Sequence, residues 1–331
     1  MLKSVSGKRL CALIMTLTGA LALPTAAMAQ GSVDTYPSKL VTLIVPFAAG
    51  GPTDNEGRIY ANKLAENLGH PFVLDFKPGA GNRLATTYLM KAPADGHTLM
   101  YTASTHSVIP LQYSDLGYDL YKVLAPVSLI SKRYALIVVH PSLPITTMAE
   151  YVAYAKANPG KLNLGTAGAG GAQHLTGVWL NSITGTDVTM VHYKGTAPVF
   201  VDLLSGRTHL TFSTFLTVLP HLKSGKLRAI VQANLVRHPD LPDLPTATDA
   251  GYPGFEYSSW LGLLAPGATP LAIRNKVAAE LNKAVKSPDI VKRMGNDIQL
   301  IASTPAEFER YYMQEYERWK KLVKEANIQF E

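Results

Sequence analysis

Two glycine-rich turns, each set between an apolar strand and a helix, constrain this chain more than any other feature. The first runs Pro46-Phe47-Ala48-Ala49-Gly50-Gly51-Pro52-Thr53-Asp54 and follows the apolar run Leu43-Ile44-Val45. The second runs Gly165-Thr166-Ala167-Gly168-Ala169-Gly170-Gly171-Ala172-Gln173-His174. A strand that turns directly into a helix exposes backbone N–H groups at the positive end of the helix dipole, and such a turn binds anions. Neither turn contains Lys or Arg, so an anion there is held by amides and hydroxyls. The turns lie about 120 residues apart, which points to two lobes gripping one small anion.

The order of elements around the turns is that of an α/β protein. Leu40–Phe47 reads as a buried strand, rich in β-branched residues. A helix is expected from Asp54 to Leu68, with Thr53 as cap and Glu56 closing a capping box. Phe72–Asp75 is a strand, a turn spans Lys77–Asn82, and a helix from Arg83 to Lys91 leads into the strand His97–Thr102. This β-α-β-α-β order implies parallel strands with right-handed crossovers. Further strands are expected at Tyr134–Val139 (within the apolar stretch Val127–His140), Val188–His192, Leu210–Ser213 and Leu227–Ala233, and helices at Thr147–Ala157, Gly171–Ile183 and Thr196–Leu204.

The strand Leu261–Leu264 is read as a return to the first lobe. The expected division is residues 30–130 with 252–331 as lobe 1 and 131–251 as lobe 2. Two helices close the chain. Thr269-Pro270 opens one, with an apolar face at Leu271, Val277, Leu281 and Val285. Thr304-Pro305-Ala306-Glu307 opens the other as a capping box. Its stripe of Phe308, Tyr311, Tyr312, Tyr316, Trp319 and Val323 is read as core.

Residues 1–29 are read as a signal peptide. Lys3, Lys8 and Arg9 are a basic start, Leu10–Ala22 an apolar run, and Ala27-Met28-Ala29 a cleavage site. Removal after Ala29 would send the protein to the periplasm. Three of the 31 basic residues and none of the 24 acidic ones fall in that leader, leaving 28 basic against 24 acidic. So small a surplus argues against nucleic acid as partner. Cys11, the single cysteine, also lies in the leader, which rules out disulfides and thiolate metal sites beyond it. No nucleophile elbow, zinc-protease motif or phosphate-binding P-loop is present, and Gln173 stands where a dinucleotide fingerprint needs its third glycine.

Taken in order, several short motifs join the two turns: Lys77-Pro78-Gly79-Ala80-Gly81, Ala94-Asp95-Gly96-His97-Thr98-Leu99, Tyr193-Lys194-Gly195, Asp202-Leu203-Leu204-Ser205-Gly206, Gly225-Lys226-Leu227-Arg228-Ala229, Ala250-Gly251-Tyr252-Pro253-Gly254 and Leu263-Leu264-Ala265-Pro266. Together they resemble the substrate-binding proteins of tripartite tricarboxylate transporters, also called Bug or TctC-type receptors, over nearly the whole chain beyond the leader. The resemblance implies a two-lobed periplasmic-binding-protein fold of the Venus-flytrap, type II-like kind, each lobe a mostly parallel sheet flanked by helices. It implies a monomeric receptor, with no cofactor, that captures a small carboxylate, a dicarboxylate or aromatic acid being favoured. The receptor delivers that solute to the permease subunits of a membrane transporter. A receptor feeding a sensor kinase and an exported hydrolase are the alternatives.

In that family, loop amides hold one carboxylate of the ligand. By resemblance the role falls on Ala49, Gly50, Gly51 and Thr53, with Phe47 in the same loop, and on Thr166, Ala167, Gly168 and Gly170. This chain departs from the family at Asn82-Arg83, where a second glycine and Asn are usual, and at Gly57-Arg58, so Arg83 is a candidate specific to this receptor. Asp54 is expected to orient the first turn, to meet a ligand amino group, or to be an ordinary first-turn acid. Asp202 is expected to line the cleft or to face solvent. His174 is a ligand contact or a packing residue. Arg83 and His106 either pair with a second carboxylate or are surface residues. Trp260 is expected to pack near the crossing between lobes.

Overall fold

A computed structural model describes residues 33–326 and 328, apart from 51, 80, 81, 114 and 258. The leader with its cleavage site, Cys11 and Gly51 all lie outside the described residues. The chain forms two compact units, Met1–Tyr36 and Pro37–Glu331. The described part of the first is one turn, closed by Tyr36 N–H donating to Val33 O at 3.2 Å. The second unit holds both sheets of the molecule.

The first sheet has the strand order β11-β4-β10-β3-β1-β2. Strand β1 (Val41–Val45) lies between β2 (Phe72–Phe76) and β3 (Thr98–Ala103), parallel to both. Helix α1 (Pro52–Leu68) carries the chain from β1 to β2, and α2 (Arg83–Met90) carries it back past β1 to β3. Right-handed crossovers in opposite directions set the two helices on opposite faces. The chain enters α2 through Asn82, whose φ of 73° is left-handed. Asn tolerates that region better than other non-glycine residues, which accounts for Asn at a position where glycine is usual.

After β3 come a 3₁₀ segment (Ser104–Val108) and two short helices, α3 (Ile109–Gln112) and α4 (Leu120–Val123). Strand β4 (Leu124–Arg133) then joins the first sheet, and β5 (Ala135–Val139) joins the second. The sequence predicts a strand only at Tyr134–Val139. The apolar stretch is in fact two strands of two sheets, and the polar break Ser131-Lys132-Arg133 marks the end of the first.

The second sheet has the order β7-β6-β8-β5-β9. Helix α5 (Met148–Ala157) opens on a Thr147–Glu150 capping box and precedes β6 (Asn163–Thr166). Next come α6 (Ala172–Thr184), β7 (Thr189–His192), α7 (Thr196–Leu204), β8 (Leu210–Thr214), α8 (Phe215–Lys223) and β9 (Arg228–Gln232). Strand β6 lies between β7 and β8 and is parallel to both, as β1 is between its neighbours.

The chain returns through β10 (Trp260–Pro266), which inserts antiparallel between β3 and β4. It ends with α9 (Leu271–Val285), α10 (Pro288–Met294), the edge strand β11 (Ile298–Leu300) and α11 (Pro305–Glu325). Both sheets are therefore mixed: β10 runs against β3 and β4, β11 runs against β4, and β5 runs against its neighbours β8 and β9.

The two crossings between sheets are hydrogen-bonded together, Arg133 N–H donating to Ser259 O at 2.9 Å. Asn234 pins the first crossing: its side chain accepts from Ala135 N–H (2.6 Å) and donates to Arg133 O (3.0 Å). The sheets change at Tyr134 and between Tyr257 and Trp260, not at the expected 130/131 and 251/252. Phe255 and Tyr257 pack against Phe212 in the second lobe's core, so the chain stays in that lobe past residue 252.

Helix α11 is held as its capping box foretells, with Thr304 and Glu307 bonded reciprocally. Phe308, Tyr312 and Trp319 are buried, and so is Glu315, which accepts from Trp260 Nε1–H. On α9, Val277, Leu281 and Val285 are buried, but Leu271 is exposed because the helix begins there, beyond the core-facing stripe. Helix α11, packed on the first lobe, also touches α6 of the second. Trp179 and Trp319 meet edge-to-face at 5.9 Å, with Arg318 over both rings.

Candidate functional site

Both glycine turns leave the C-terminal end of a strand whose two neighbours are reached in opposite directions along the sheet. That is the topological switch point of an open α/β sheet, where ligands bind beyond the strand ends. In the first lobe the point is the end of β1, and in the second it is the end of β6.

The first turn is exposed over Ala48, Ala49 and Gly50, while Phe47 and Thr53 are half-buried. Gly50 has φ +89°, with open space around the position of a Cβ, so glycine is needed there for backbone conformation. Asp54 is 5 % exposed, and its Oδ2 accepts from Gly50 N–H at 2.8 Å. That hydrogen bond holds its carboxyl below the usual carboxylate range, with Arg58, 2.6 Å away, adding to the effect. Asp54 thus fastens the turn to α1. The expected Thr53–Glu56 capping box does not form: the helix begins at Pro52, and Glu56 turns away to pair with Arg133.

The second turn is more deeply set and more closely tied. Gln173 on α6 accepts from Ala167 N–H (2.6 Å) and donates to Phe212 O (2.6 Å), joining the turn to β8. His174 Nδ1 accepts from Gly170 N–H at 2.8 Å, which leaves the ring proton on Nε2. Burial, helped by His192, lowers the His174 pKa to about 4, so the ring is neutral at pH 7. The Thr166 hydroxyl donates to Gly168 O (3.4 Å) and lies 2.7 Å from His192 Nδ1. Gly168 has φ +152° and Gly170 φ +68°.

These bonds sort the amides. Gly50, Ala167 and Gly170 donate within their own turns. Among the described residues, Ala49, Gly168 and Ala169 N–H have no protein partner. Amides without partners at a helix N-terminus can take a carboxylate without a cationic side chain.

The remaining candidates are engaged by other side chains. His106 is fully buried, its ring nitrogens 3.0 Å from Thr86 Oγ1 and 2.6 Å from Tyr312 OH. Burial lowers its pKa to about 3. With both nitrogens engaged in the core, His106 has nothing to offer a ligand carboxylate in this conformation. Asp202 accepts from Tyr193 OH (2.7 Å) and Arg207 Nη1 (2.6 Å), which hold its carboxyl below its ordinary value. It braces the strand-to-helix link of β7 and α7. Arg83 lies over the Tyr113 ring at 4.7 Å and 3.8 Å from Asp115.

Sequence reasoning missed Gln173 and His192. The signal was available for Gln173, an amide side chain in the first turn of α6, within reach of the amides before it. His192 becomes visible only when β7 pairs with β6 and sets it level with Thr166.

Among the described residues no helix is long and apolar enough to cross a membrane, and no group of three or more His, Asp or Glu is placed to hold a metal ion.

The family model described as "Tripartite tricarboxylate transporter family receptor" matches residues 57–328. BugT of Bordetella pertussis is 31% identical, over 89% of this chain and 91% of BugT. A solved structure described as R. palustris Rpa4515 with adipate is 34% identical, with a TM-score of 0.72, covering 89% of this chain and 100% of that one. MatC (Rpa3494) from Rhodopseudomonas palustris with bound malate is 32% identical, with a TM-score of 0.68, over 87% of this chain and 100% of MatC. Sheet topology, the two switch-point turns and these likenesses agree: the chain belongs to the Bug, or TctC-type, receptors of the tripartite tricarboxylate transporter family.

Proposed function

We propose that this receptor captures a small organic carboxylate between its two glycine turns and passes it to the permease subunits of a tripartite tricarboxylate-type transporter. The observation that carries the reading is the pair of switch-point turns with unpartnered amides and no Lys or Arg in either. The Ala49, Gly168 and Ala169 amides, with the Thr53 hydroxyl, are the proposed carboxylate donors. Asp54, Gln173 and His174 hold those donors in place. The adipate and malate named with two relatives fit the same chemistry. The leader directs the chain to the periplasm and is removed after Ala29, where the protein works as a monomer.

A thermal-shift series with adipate, malate and a panel of other carboxylic acids tests the capture step. A ligand that binds only the folded state raises the unfolding midpoint in proportion to ln(1 + [L]/Kd). A rise with at least one acid, absent with the matched primary amide, is expected. A midpoint unmoved by every acid at millimolar concentration would end the carboxylate reading.

A further inference from the structure

A recess of about 400 Å³ opens between the lobes beside the crossing. On the first lobe its wall is the start of α1, with Glu56 and Ile59, and the end of β4, with Arg133. On the second lobe it is Thr214 and Leu216, where β8 turns into α8. Strand β8 is the parallel neighbour of β6, and the register Leu164↔Leu210 carries Thr214 to the level of the second glycine turn. Neighbouring strands are roughly 5 Å apart. The recess therefore adjoins the turns along the same edge of the sheets.

Glu56 is 6 % exposed. One of its oxygens pairs with Arg133, and the other, Oε2, is buried with no partner among the described residues. A buried carboxylate is costly unless its lone pairs are met, and this oxygen goes unmet beside a recess that Glu56 itself lines. The remaining charges nearby are Arg293, which is exposed, and Asp297, 3.6 Å from His238 Nε2. Arg133 and Arg293 balance Glu56 and Asp297, so the recess has no surplus positive charge for a second carboxylate. Ile59, Leu216 and Met294 give it an apolar lining, and Leu216 is 60 % exposed.

We propose that this recess is a second subsite that takes the far end of the captured solute: a short hydrocarbon ending in a hydrogen-bond donor, a hydroxyl or an ammonium, which Glu56 accepts. The proposal rests on carboxylate capture at the glycine turns and adds what the other end of the ligand must be.

Titration calorimetry with four acids sharing one carboxylate and one chain length separates the two readings: hexanoate, 6-hydroxyhexanoate, 6-aminohexanoate and adipate. The hydroxy and amino acids should bind roughly tenfold more tightly than hexanoate. Adipate, whose second carboxylate meets Glu56, should bind least well. In Glu56→Leu the advantage over hexanoate should vanish. Glu56→Gln keeps an acceptor oxygen without the charge, so it should retain the preference for the hydroxy acid and lose that for the amino acid. Because Glu56→Leu strands Arg133, Glu56→Leu/Arg133→Leu serves as the matched variant, with unliganded unfolding as the check that each has folded. Equal affinity of wild type for hexanoate and 6-hydroxyhexanoate overturns the subsite and leaves carboxylate capture standing. So does an advantage that survives in Glu56→Leu. Binding of none of the four, with another acid of the thermal-shift panel still bound, overturns the subsite alone.

Discussion

In the first glycine turn a single carboxylate, Asp54, holds the Gly50 amide, and Arg58 balances its charge. In the second turn three neutral side chains, Gln173, His174 and Thr166, divide the same task. The outcomes differ. A carboxylate near a helix N-terminus uses up part of the local positive potential. The neutral clamp leaves the dipole of α6 and the Gly168 and Ala169 amides undiminished. Of the two proposed anion sites, the second turn is thus the better preorganised and the first the more exposed. The contrast also makes the turns vulnerable to different changes.

The largest expected effect is on pH dependence and belongs to the second turn. Burial holds the folded pKa of His174 at about 4, below its ordinary 6.5. The unfolded chain therefore takes up the proton first, and stability falls as pH drops from about 6.5, levelling off near 4. Over that window the loss is on the order of 3 kcal/mol. Denaturant unfolding at pH 7 and pH 4.5 should show a smaller drop in His174→Gln than in wild type. Parallel drops would mean that the ring does not act as a neutral acceptor.

Gln173→Ala comes next. It leaves the half-buried Ala167 amide without its acceptor and takes a donor from the buried Phe212 carbonyl, at about 2 kcal/mol of stability. A change below experimental error would show that the second turn holds itself without the clamp.

Asp54→Ala frees the single anchor of the first turn. Carboxylate affinity should fall on the order of tenfold, and unfolding should move less than in Gln173→Ala. Tighter binding would reverse the comparison, because it would mean that Asp54 competes with the ligand.

The smallest effect is expected at Arg83. An exposed ion pair at 3.8 Å and a stack on Tyr113 are worth under about 1 kcal/mol together. Arg83→Ala should bind adipate and a matched monocarboxylate as wild type does. A selective loss of adipate would bring Arg83 into the site as the reader of a second carboxylate.

Much of this architecture could be read from the chain. The two turns, the parallel β1–β2–β3 unit and the Thr304–Glu307 box each rest on a local rule: a period, a cap or a glycine conformation. Readings fail where a distant partner decides. Nothing near Glu56 announces Arg133, 77 residues away, so the capping box looks complete without it. The polar residues Ser131-Lys132-Arg133 resemble a gap in one strand until β10 returns to pair with β4. His106 reads in sequence as a partner for a second carboxylate or a surface residue, and becomes a neutral core residue only when Tyr312, 206 residues later, closes over it.

Trp179 and Trp319 stand nearly perpendicular, at 89°, one on each lobe. A rotation of one lobe against the other changes their separation or their angle unless its axis is the normal through one ring's centre. The third tryptophan, Trp260, is 1 % exposed within the first lobe and bonded to Glu315 of the same lobe, so it moves with its surroundings. The protein thus carries its own optical goniometer: an indole couplet whose near-ultraviolet circular dichroism tracks the angle between the lobes, beside a buried indole that supplies the constant reference.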